Sequence, residues 1–80
     1  MGNNVELILE KIKGLPVIQS GKNSIITLSN NEANLSIKDF SEAIEYIWEK
    51  SLVKILKVER EHSYIVRIYA DVTKWFIKLY

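Results

Sequence analysis

The spacing of apolar residues changes several times along the chain, and each change predicts a new element. Val5, Leu7, Ile8, Leu9 and Ile12 recur at helical spacing behind Asn3, with Glu6 three residues on, so an N-capped helix is expected over 4–13. Gly14 is expected to give that helix a left-handed exit, and Pro16 forbids its continuation. Val17 and Ile18, then Ser20-Gly21-Lys22-Asn23, then Ile25, Ile26 and Leu28 form two β-branched runs around turn formers, the pattern of a hairpin.

Residues 29–36 are polar and are expected to connect. A second helix begins after them, with Ser36 as N-cap, Asp39 at N3 and Leu35 placed to touch Phe40 as a staple. Phe40, Ala43, Ile44, Ile47, Trp48 and Ser51 share one stripe, which leaves Glu42, Glu45 and Glu49 on the far side. Beyond it, the β-branched content of 52–59 favours a strand, turning through Arg60-Glu61-His62 and returning as 63–70. There Tyr64, Val66, Ile68 and Ala70 alternate with Ile65, Arg67 and Tyr69. Lys54 and Lys57 fit the first of these strands only if its period slips near Ile55-Leu56, which requires a bulge. Residues 71–80 match both a helical stripe and strand alternation, and Asp71 as a possible N-cap favours helix.

These elements make a two-layer α+β domain over 1–80, in the order α-β-β-α-β-β-α. A four-stranded, mainly antiparallel sheet of two hairpins carries two or three helices. The order resembles a ferredoxin-like βαββαβ unit with its first strand moved to the end, which bears on geometry and not on function.

Composition narrows the chemistry. The chain has 80 residues, is 48% apolar, holds no cysteine and one histidine, and carries a formal charge of +1. A domain this small buries a modest share of its surface, so help from a partner chain is expected. The lack of cysteine excludes disulfides, thiolate metal sites and cysteine nucleophiles. No apolar run is long enough to span a membrane and residues 1–10 carry no basic leader, so a cytoplasmic location is expected. His62 sits in an expected solvated turn, the glycines are scattered, and the serines lack a recognisable base. No catalytic residue, metal or cofactor is therefore assigned.

Two functional classes are left. The first is a non-enzymatic interaction or regulatory module acting by macromolecular contact, expected to be a homodimer with a further, unidentified protein partner. Both faces of the expected strands carry large apolar side chains, and Ile65, Trp75, Phe76, Leu79 and Tyr80 are the surplus assigned to contact. The acidic stripe Glu42, Glu45 and Glu49 is assigned with them. The second class is a small nucleic-acid-binding regulator. The helix and charged hairpin within about residues 36–70 resemble the end of a winged-helix domain, although the would-be recognition helix is acidic outside and would repel phosphate. A sheet platform is its other form, using Lys54, Lys57, Arg60, Arg67 and Tyr69 for charge and stacking.

Overall fold

A computed structural model describes residues 2–74. Its elements are α1 (Gly2–Lys13), β1 (Ile18–Ser20), β2 (Asn23–Ser29), α2 (Ile37–Glu49), β3 (Lys54–Glu61) and β4 (Tyr64–Asp71). The strands form one sheet in the order β1-β2-β4-β3, antiparallel throughout. The expected α+β class and the two hairpins hold, and the described order is α-β-β-α-β-β. The third helix expected over 71–80 falls outside the described residues from Trp75 onward, and Asp71 itself ends β4. Helix α2 carries the chain from β2 to β3 with β4 inserted between them. That split crossover is the strand order of a ferredoxin-like unit cut and rejoined.

Local chemistry explains most of the boundaries. Helix α1 starts at Gly2, which places Asn3 inside its first turn and not at the expected N-cap position. Gly14 is not left-handed either: the helix closes by tightening, with Gly14 N–H donating to Lys11 C=O at 3.1 Å and Leu15 N–H to Ile12 C=O at 3.3 Å, just before Pro16. The first hairpin turns on Gly21 and Lys22, where Gly21 has φ +64°, the conformation a tight hairpin asks of its first central residue. Ser36 caps α2 as expected, its Oγ accepting from Asp39 N–H at 3.1 Å.

At its other end α2 closes without glycine. Leu52 N–H donates to Ile47 C=O at 3.0 Å and Ser51 N–H to Trp48 C=O at 3.1 Å, with Ser51 left-handed at φ 55°. This Schellman closure consumes Ser51 and Leu52, so β3 starts at Lys54 and not at Leu52. Trp48 leaves the expected core stripe and is 43% exposed. The connection 29–36 also has structure of its own. Ser29 N–H donates to Glu32 Oε1 at 2.9 Å while Glu32 N–H donates to Ser29 Oγ at 3.2 Å, a reciprocal box that closes a single turn ending at left-handed Asn34.

Both helices lie on one face of the sheet. Val5, Ile8 and Ile12 from α1 and Phe40, Ala43, Ile44 and Ile47 from α2 pack over Ile26, Leu28, Ile65, Ile68 and Ala70, closed at the ends by Val53 and Val72. Each of the valine, leucine, isoleucine and phenylalanine side chains taken out of water contributes about 1.5–3 kcal/mol before entropy is counted.

Two bulges decide which side chains reach this core. On β3 the ladder passes from Ile55 to Lys57 while β4 advances one residue, so Leu56 is the extra residue. This is the slip expected from Lys54 and Lys57. On β4 the ladder passes from Arg67 to Ile65 while β3 advances one residue, which makes Val66 extra. This second bulge overturns the simple alternation expected for 63–70: Ile65 turns inward and is fully buried, while Tyr64 turns outward and is 44% exposed. The backbone groups it displaces are satisfied, Ile65 N–H by the buried Ser41 Oγ at 3.0 Å and Val66 C=O by Asn30 N–H at 3.0 Å. The hairpin then turns on His62 and Ser63, later than the expected Arg60-Glu61-His62, with both residues left-handed at φ 51° and 77°.

Candidate interaction surface

Because α1 and α2 share one face, the other face of the sheet is covered by no described element. The register lays it out in rows across the strands. Ile18, Ile25, Asp71 and Lys54 form the first, Thr27, Tyr69 and Lys57 the second, and Ser29, Arg67 and Glu59 the third. Beyond the Val66 bulge lie Tyr64 and Glu61. Tyr64, Arg67 and Tyr69 therefore share one strand and one face, an arrangement that exists only because the bulge removes Ile65 from it.

The polar groups of this face hold one another. Tyr69 Oη donates to Glu59 Oε2 at 2.9 Å, and Glu59 Oε1 lies 3.4 Å from Arg67 Nε. Arg67 Nη1 donates to Thr27 Oγ1 at 3.4 Å and lies 4.0 Å from Glu32 Oε1. Lys57 Nζ stands 5.3 Å from the centre of the Tyr69 ring, within cation–π reach. The hydrogen bond to Glu59, and then the desolvation of the phenol, push the Tyr69 pKa above its ordinary value. At the far end, Thr73 donates to Asp71 Oδ1 from both its hydroxyl and its backbone N–H, which holds the Asp71 carboxyl below its usual range.

The expected contact residues do not converge on one place. Glu42, Glu45 and Glu49 are exposed on α2, with Glu45 4.0 Å from Arg60 Nη1. Arg60 pairs across the strands with inward-facing Ile65, so it stands on the helix side, away from Lys57, Arg67 and Tyr69. Ile65 is 0% exposed and is corrected from a contact residue to a core residue. Trp75, Phe76, Leu79 and Tyr80 lie outside the described residues. Lys54, Lys57, Arg67 and Tyr69 do share the open face. Sequence reasoning missed Tyr64 there; two consecutive β-branched residues, Ile65-Val66, interrupt the polar alternation and are the signal that could have found it.

Other chemistry is sparse. No three His, Asp or Glu side chains gather to hold a metal among the described residues, and no helix among them is long and apolar enough to cross a membrane. A hollow of about 640 Å³ lies at the end of α2, lined in part by Trp48, Leu52, Lys54, Asp71 and Lys74, and its one carboxylate already accepts from Thr73. Compared with known proteins, the chain matches no family model, no curated protein and no solved structure.

Proposed function

We propose that this chain is a non-enzymatic contact module that engages a protein surface through the open face of its sheet. The observation that carries the reading is the patch Tyr64, Arg67, Tyr69, Lys57 and Glu59, which combines aromatic and arginine side chains with charges of both signs. Tyrosine and arginine are the residue types that anchor protein interfaces. Because Glu59 and Glu32 lie against Arg67, the patch offers little net positive charge, and a polyphosphate backbone gains little there.

A photo-reactive phenylalanine in place of Tyr64, compared with one in place of Lys38 on α2, tests the reading in the native host. Protein adducts from position 64 and none from position 38 are expected. Adducts to nucleic acid at position 64 support instead the stacking platform of Tyr69 and Lys57. Equal labelling from both positions, or none from position 64, overturns the open face as a contact surface.

A further inference from the structure

The sheet has two free edges among the described residues, and they differ. β1 has three residues, too few to template another strand, whereas β3 has eight, with an unpaired row of backbone donors and acceptors along its outer side. Edge strands are commonly guarded by lysine and by bulges, and β3 carries Lys54, Lys57 and the Leu56 bulge. The guard is incomplete. On the open face β3 reads Lys54, Lys57, Glu59, Glu61, basic over its first half and acidic over its second.

Such a strip complements a second copy of itself, provided the two run antiparallel. With Val58 opposite Val58 of the second copy, Lys57 of each faces Glu59 of the other. Sliding by one pair in either direction sets Lys57 against Lys57 or Glu59 against Glu59 at the axis, and like charges directly opposite are unfavourable. The same alignment sets Leu56, 50% exposed, opposite Arg60 of the other copy, whose methylene stem covers apolar surface. A two-fold axis normal to the sheet also keeps both open faces on the same side. We infer that two copies of this chain pair antiparallel along β3, centred on Val58, into one eight-stranded sheet. This inference is independent of what the open face contacts.

Opposite charge reversals on two chains test it. Lys57→Glu and Glu59→Lys each set like charges across the axis and are expected to weaken self-association about tenfold in sedimentation. An equimolar mixture of the two variants is expected to regain wild-type association as a mixed dimer. Because Glu59 also holds Tyr69 and Arg67 within its own chain, Val58→Cys gives a second route that avoids it. In a chain with no other cysteine, mild oxidation should link two copies through position 58, while Gln19→Cys on the β1 edge should not link. A wild-type chain that stays monomeric at about 1 mM overturns the pairing. So do single variants that associate as well as wild type, a mixture that regains nothing, or equal cross-linking from positions 19 and 58.

Discussion

The two faces of this sheet are built from the same strands and differ in what holds them. On the helix side, Ile26, Leu28, Ile65, Ile68 and Ala70 are held by exclusion of water under Phe40 and Ile44, and little exact geometry is required of them. On the open side, Thr27, Glu59, Arg67 and Tyr69 are held by directed hydrogen bonds and ion pairs in partial contact with water, where each is worth little. Stability therefore belongs to one face, while the other can change composition at small cost to folding. That division is what a contact surface needs.

The largest test of this division compares Phe40→Ala with Tyr69→Ala. Emptying the Phe40 site should cost about 3–5 kcal/mol, which exhausts most of the stability of a domain this size and shifts the urea midpoint accordingly. Tyr69→Ala should leave that midpoint near wild type while removing adducts from the open face. Comparable losses from both would mean that the open face is also a core.

The junction between the faces comes next. Ser41→Ala leaves the buried Ile65 N–H without a partner and should cost about 1–3 kcal/mol, with faster hydrogen exchange at Ile65 before the rest of β4. A smaller gain should follow at the hairpin tip, where left-handed His62 and Ser63 stand in a turn that favours Asn-Gly. The pair His62→Asn and Ser63→Gly should raise stability by about 1 kcal/mol in thermal melts.

The smallest effect is a titration. The folded Tyr69 pKa is raised, so the hydrogen bond to Glu59 contributes stability fully present below the pKa of an unfolded tyrosine and lost as pH rises through the folded value. Glu59→Gln should bring the Tyr69 transition in ultraviolet absorbance back toward that of an ordinary phenol. An unmoved transition would mean that the carboxylate does not hold the ring.

Much of the helix-side face was legible in the sequence because two simple periods write it. The stripe from Phe40 to Ile47 and the alternation through Ile68 and Ala70 each specify inward positions without reference to a partner strand. Leu56 was legible for the same reason, since its neighbours broke the period. The Val66 bulge was harder: its displaced groups are satisfied by Ser41 and Asn30, which are remote in sequence, and local pattern carries no record of such partners. The left-handed residues Ser51, His62 and Ser63 escaped because the turn signal expected there is glycine or asparagine. Ser29 and Glu32 did display a capping pair, hidden only by the absence of a helix long enough to look for.

Val66 also sets a limit on how this chain can vary by descent. A deletion there would erase the extra step in the ladder yet keep Arg60 opposite Ile65 and Glu61 opposite Tyr64. The inward and outward positions upstream would stand, while the carbonyl that accepts from Asn30 would go. An insertion would instead shift everything upstream by one step. With that added residue, Ile65 would be delivered to solvent and the Tyr64 phenol into the oil beneath Phe40. Lengthening by a single codon should accordingly be far more damaging than loss of Val66 or any exchange at the same place, and lineages carrying the domain are expected to shorten here more readily than they grow.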